Sequence, residues 1–199
     1  MGRGQGSKGR EERAMAAKKM DDSGFQVALL RGINLGARQI PMKKLAEMFA
    51  EAGCRDVKTY IQSGNVIFKA ANPSRAIAQI GKALAARFRF DVPIVTRSAA
   101  ELRDVTESNP FLRAGKDAAK LYVVFMADQP EKSRVAALDP ARSPPDEFTV
   151  RGREIYLYCP NGLGRTKLSN QYFDTKLATT STVRNWRTVQ KLLDMATND

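Results

Sequence analysis

The succession of hydrophobic periods between Phe25 and Thr96 most limits the folds open to this chain. Residues 25–30 form a short apolar run closed by Arg31-Gly32, the pattern of a strand buried on both faces. Leu45, Met48, Phe49 and Ala52 then fall at i, i+3, i+4 and i+7 behind Pro41 and ahead of Gly53, which predicts a capped helix. Residues 57–61 and 66–69 flank Gln62-Ser63-Gly64-Asn65, whose Ser, Gly and Asn favour a turn, so this stretch reads as a hairpin. Asn72 as N-cap and Pro73 at the first helical position open a second helix along Ile77, Ile80, Leu84 and Phe88. Residues 92–96 close the series as a strand whose Pro93 assigns it to an edge. Residues 25–97 therefore read β-α-β-β-α-β, the ferredoxin-like order.

The remainder begins in the same way. Ser98-Ala99-Ala100-Glu101 is a capping box opening a helix that Asn109-Pro110 stops. Residues 121–126 are a second buried-type strand, a short helix follows Pro130, and residues 147–151 and 154–158 alternate around Gly152 as a second hairpin. Tyr172, Phe173 and Leu177 suggest a helix, and Val183, Trp186, Val189 or Gln190, and Leu193 mark the buried stripe of a longer one. The expected fold is α+β: two tandem ferredoxin-like (β-α-β-β-α) units, the second lacking a fourth strand and ending in helices. The expected division is a disordered extension over 1–24, a first unit over 25–97, a helical linker over 98–118 and a second unit over 119–199. Residues 1–24 are Gly-rich and charged without apolar periodicity, a composition too poor in burial to order itself.

Composition narrows the chemistry. Lys and Arg exceed Asp and Glu by 12, and the first 24 residues account for only 2 of that excess, so the cations lie on the foldable part. Nucleic acid, nucleotides or other anions become the favoured partners. The chain has no histidine, which removes Ser-His-Asp and Cys-His catalysis and His-based zinc sites. Cys54 and Cys159 are too few for a disulfide scaffold and have no C-x-x-C spacing. Neither a calcium loop nor a Walker A sequence is present, and no metal or cofactor is expected. The apolar runs are too short for the roughly 20 residues of a membrane helix, which points to the cytoplasm.

Two loops carry the candidate site. Arg31, Gly32, Asn34 and Arg38 follow the first strand, where glycines can turn backbone N–H groups towards an anion. Gly164, Arg165 and Lys167 form a second glycine loop between a strand and a helix. Arg184 and Asn185, read as the start of the last helix, and Ser63 and Asn65, in the first hairpin turn, complete the ligand-binding set. Arg184, Arg187 and Lys191 would give that helix a basic face. The first hairpin differs from an RNA-recognition motif: Asn65 and Ile67 stand where that motif stacks bases on aromatic rings.

The stretches 28–36, 59–68, 162–168 and 183–189, taken in order, resemble the uncharacterised bacterial family of domain of unknown function 1697 (DUF1697). The resemblance implies two ferredoxin-like repeats and supplies no catalytic residue. One departure is an extra Val183 before Arg184-Asn185-Trp186, where the family usually reads Thr-Thr-Arg-Asn-Trp. The expected function is a non-catalytic cytoplasmic module that binds an anionic ligand, nucleic acid or nucleotide phosphate, between two half-domains. The alternative is an enzyme that clamps a phosphorylated or carboxylated small molecule with arginines. Without histidine, its proton transfers would fall to a carboxylate, Tyr60, Cys159 or a lysine.

Overall fold

The computed structural model describes residues 24–36 and 38–198, so the extension expected over 1–24 lies outside the described residues except for Gly24. The elements run β1 (Phe25–Leu30), α1 (Met42–Glu51), β2 (Arg55–Tyr60), β3 (Asn65–Lys69), α2 (Pro73–Phe88), β4 (Ile94–Ser98), α3 (Ala99–Glu107) and α4 (Pro110–Arg113). After a short 3-10 turn come β5 (Leu121–Met126), α5 (Lys132–Ala136), β6 (Glu147–Arg151), β7 (Glu154–Tyr158), α6 (Asn170–Leu177), β8 (Ser181–Asn185) and α7 (Trp186–Thr197). They form two four-stranded antiparallel sheets, ordered β2-β3-β1-β4 and β6-β7-β5-β8.

The central strands are buried on both faces, as their unbroken apolar runs require. In β1, Ala28 and Leu30 face α1 and α2, in a core with Leu45, Phe49, Ile80 and Leu84. The alternate residues Phe25, Val27 and Leu29 face Leu121, Val123 and Phe125 of β5, with α3 and α7 contributing Leu102, Trp186 and Leu192. Period two thus sends every other side chain of a central strand into a core shared by both sheets. Val124 and Met126 take the remaining face, against Phe173 and Leu177 of α6.

Local signals set most boundaries. The Asn72 side chain accepts the Arg75 N–H at 3.0 Å with Pro73 at the first turn, and both halves of the Ser98/Glu101 capping box form. Gly64, in the first hairpin turn, has φ +79°, and a Cβ there would lie 2.8 Å from both Leu30 Cβ and Ile33 Cδ1, so only glycine fits.

The second half corrects the reading in one respect: it has a fourth strand. Ser181–Asn185 is β8, paired with β5 without a break, Val183 opposite Val124 and Arg184 opposite Val123. Val183 is therefore an ordinary strand residue rather than an interruption of a helix start. The helix begins two residues after Arg184, at Trp186, with Asn185 as N-cap accepting the Thr188 N–H at 2.8 Å. β-Branched Thr180, Thr182 and Val183 suit an extended chain, and the Val183 to Trp186 spacing imitates a helical repeat by coincidence. Arg184 consequently leaves the expected basic helix face, on which Arg187 and Lys191 are simply exposed.

Candidate functional site

The stretch from Arg31 to Gly36 leaves the end of β1 with an alternating backbone. Gly32, Asn34 and Gly36 have positive φ of +67°, +56° and +56°, whereas their neighbours Arg31, Ile33 and Leu35 do not. Such alternation turns successive N–H groups to one side and makes a concavity suited to an anion. Asn34 tolerates the left-handed region and fixes the loop. Its Nδ2 donates to Gln62 O and its Oδ1 accepts from Ile40 N, both at 2.8 Å, which ties the loop to the first hairpin turn. Among the described residues, the N–H groups of Gly32 and Ile33 donate to no protein acceptor.

This loop forms one wall of a cleft of about 330 Å³, and the opposite wall comes from the second half: Asn170 at the start of α6, and Thr182, Val183 and Arg184 of β8. Gln62 and Ser63 of the hairpin turn close one side. A smaller pocket of about 180 Å³ adjoins it, sharing Asn170 and Val183 and otherwise lined by Leu163, Thr166, Leu168 and Ser169. Leu35, 69% exposed, stands at the lip.

Two arginines set the charge. Arg31 is part-buried; its Nη1 donates to Asp174 of α6 and, at 3.2 Å, to Ser181 O, which leaves Nε and Nη2 with no partner among the described residues. Arg184 is 93% buried and saturated. Its Nε donates to Asn65 Oδ1, Nη1 to Thr182 Oγ1 and Val183 O, and Nη2 to the carbonyls of Leu30, Ser63 and Gly64 at 2.8, 3.1 and 3.3 Å. None of these partners is a carboxylate. Burial pushes the Arg184 guanidinium down to about 10, so it remains charged at neutral pH and gives the cleft wall a positive potential.

Arg97 makes the reciprocal contact from the first half. It precedes the N-cap of α3 as Arg184 precedes that of α7, and it pairs with Val27 as Arg184 pairs with Val123. Its Nη2 donates to Met126 O at 2.8 Å and Arg153 O at 3.0 Å, but its Nε meets the Glu154 carboxylate at 2.7 Å where Arg184 meets the Asn65 amide. One of the two cross-sheet arginines is thus neutralised and the other is not. The uncompensated one lies at the cleft.

The structure brings Arg31, Gly32, Asn34, Ser63 and Arg184 together on the cleft and places Asn65 directly behind Arg184. Arg38 instead lies 5.3 Å from the Phe90 ring centroid, and Asn185 caps α7. Gly164, Arg165 and Lys167 are exposed and line neither pocket, although their neighbours Leu163, Thr166 and Leu168 line the smaller one. Sequence reasoning missed Asn170 and Thr182, since the position of α6 against β8 has no local signature. The Asn170 Oδ1 is buried with no hydrogen-bond partner among the described residues, a state that costs about 1–3 kcal/mol. Among the described residues, no Asp, Glu, Lys, Cys or Tyr lines the cleft. Cys159 is elsewhere, and burial pushes its thiol up to about 11.

A profile of the family described as "Protein of unknown function (DUF1697)" matches residues 25–156, more than half of the chain. The chain belongs to this family. A solved structure of a conserved bacterial protein from Streptococcus pneumoniae has a similar fold, with a TM-score of 0.68 at 19% identity over 86% of this chain and 98% of the other. No curated protein matches. Among the described residues no helix is long and apolar enough to cross a membrane, and no group of three or more Cys, Asp and Glu could hold a metal ion.

Proposed function

We propose that this family member is a cytoplasmic, non-catalytic binding module whose two tandem ferredoxin-like units, 25–97 and 119–199 joined by a helical segment, hold a small phosphorylated anion in the cleft between them. The repeated element order and the shared sheet order support the two-unit reading. The observation that carries the ligand reading is the pairing of free donors with uncompensated charge. Arg31 keeps Nε and Nη2 available beside the alternating loop, and the buried Arg184 behind them faces no carboxylate. Arginine presents a planar fork that suits phosphate, and convergent backbone N–H groups complete such a site. A cleft of this volume fits a small molecule better than a polymer, which would need a longer basic track. Among the described residues, the lining offers no group with proton-transfer chemistry at neutral pH, which favours binding over turnover.

Calorimetric titration with ribose 5-phosphate and inorganic phosphate tests this reading. Binding should weaken at least tenfold in Arg31→Gln, and the Arg165→Ala/Lys167→Ala double variant should stay within about twofold of wild type. Wild-type protein that binds neither compound, or Arg31→Gln with unchanged affinity, contradicts the proposal.

A further inference from the structure

We infer that Arg38 is a second anion-binding side chain of this site and that the site selects a doubly charged phosphate monoester over singly charged anions; this inference rests on the anion-binding reading above. Arg38 lies outside the cleft lining but beside Gly32, which belongs to it. Apart from its chain neighbours, a Cβ built on Gly32 would meet a single described atom within 4 Å, Arg38 Nη1 at 3.8 Å, so the guanidinium overhangs otherwise open space next to that glycine. A Cβ stands about 2.5 Å from its own residue's nitrogen, which puts Arg38 Nη1 no more than about 6 Å from the Gly32 nitrogen. One phosphate group bridges that gap, since two of its oxygens, about 2.5 Å apart, can each accept a hydrogen bond of about 2.9 Å.

The guanidinium is held in place yet keeps its donors. It lies over the Phe90 ring, 5.3 Å from the centroid, a contact that fixes the cation without using its N–H groups. Backbone hydrogen bonds from Asn34 N to Arg38 O at 2.6 Å and from Arg38 N to Leu35 O at 3.2 Å tie the residue to the anion loop. Among the described residues the guanidinium donates to no acceptor and pairs with no carboxylate. Charge balance then sets the ligand class. Asp174 neutralises Arg31, whereas Arg184 and Arg38 have no carboxylate partner, so two positive charges remain around the Gly32 loop. A phosphate monoester carries about two negative charges above its second pKa of about 6, while a carboxylate, a sulfate ester or a phosphodiester carries one and leaves a cation unmatched.

Calorimetric titration of the full chain at about pH 8, where the monoester is a dianion, compares ribose 5-phosphate with ribose 5-sulfate, which has the same tetrahedral shape and one charge fewer. The phosphate should bind at least tenfold more tightly. Because Coulomb energy is linear in ligand charge, Arg38→Gln should weaken the sulfate about threefold and the phosphate about tenfold, the square of that factor. An unchanged Tm, expected for an exposed side chain, shows that the variant is folded. Equal affinity for the two probes in wild-type protein, unchanged affinities in Arg38→Gln, or an equal loss for both probes overturns this inference, while an Arg31-dependent affinity for ribose 5-phosphate leaves the anion reading intact. Absence of binding by both probes overturns both readings.

Discussion

At the scale of single residues, the hairpin turn beside the cleft holds two backbone conformations with opposite consequences. Gly64 needs its positive φ and its missing Cβ, so Gly64→Ala should destabilise the protein by about 3 kcal/mol or more through strain and overpacking, seen as an earlier urea midpoint with unchanged slope. Ile61 holds φ +48° with a β-branched side chain that is 49% exposed, so Ile61→Asn should stabilise by about 1 kcal/mol and raise Tm by roughly 2–4 °C. Burial also fixes two titrations. Cys159 is pushed up from its ordinary value to about 11 and Tyr156 to about 12, so the native state keeps protons that the unfolded chain releases. Stability from these groups is fully present below about pH 9 and is lost as pH rises towards 11 and 12. Urea unfolding between pH 8 and 11 should show that decline, and Cys159→Ala should make it shallower. The glycine turn was readable as a turn former, but the strain at Ile61 was not, since nothing in Tyr-Ile-Gln announces a left-handed residue.

Among elements, the instructive case is β8. Helix α2 was legible because Asn72, Pro73 and the Ile80/Leu84 stripe agree with one another. β8 was not, because Val183 and Trp186 fall at helical spacing while the evidence for a strand lies in its partner β5, sixty residues away in sequence. A local signal was nevertheless present: Arg97-Ser98 and Arg184-Asn185 each join an arginine to a helix N-cap, and reading the second half as a repeat of the first assigns Ser181–Asn185 to a strand. The two arginines then cross between the sheets in opposite directions. Arg184→Met would strand Asn65 and the carbonyls of Leu30, Ser63 and Gly64, and should cost about 3–5 kcal/mol, since each buried neutral acceptor left unpaired costs about 1–3 kcal/mol. Thermal unfolding should register this as a Tm lower by roughly 10 °C, with Arg184→Lys little better because one ammonium cannot reach donors in three directions. A Tm within about 2 °C of wild type would contradict the strut role.

For the whole molecule, a repeated architecture has been made asymmetric at one place. Both halves present a β1-type strand end to the other half's arginine, but the loop after β1 carries Gly32, Asn34 and Gly36, whereas the chain after β5 continues as Ala127-Asp128-Gln129-Pro130. Glu154 balances Arg97, and Asn65 leaves Arg184 unbalanced. Charge and free donors therefore gather on one side of the shared core. The overall excess of cations was visible in the composition, and Arg31, Asn34 and Arg184 were legible as candidates. Their grouping with Asn170, and the exclusion of Arg165 and Lys167 from the lining, depend on packing across 140 residues of chain. Affinity for ribose 5-phosphate should consequently show only a shallow salt dependence, as expected for one or two local contacts rather than a basic track, and the Arg165→Ala/Lys167→Ala variant should leave that slope unchanged.

The most direct measurement is a titration of the ¹⁵N-labelled protein with ribose 5-phosphate followed by amide chemical shifts. The backbone signals of Gly32 and Ile33 should move together along one saturable curve, while those of Arg165 and Lys167 stay within a small fraction of that change. Saturable shifts that leave Gly32 and Ile33 unmoved, or no shifts at millimolar ribose 5-phosphate, would contradict the cleft between the two halves as the binding site.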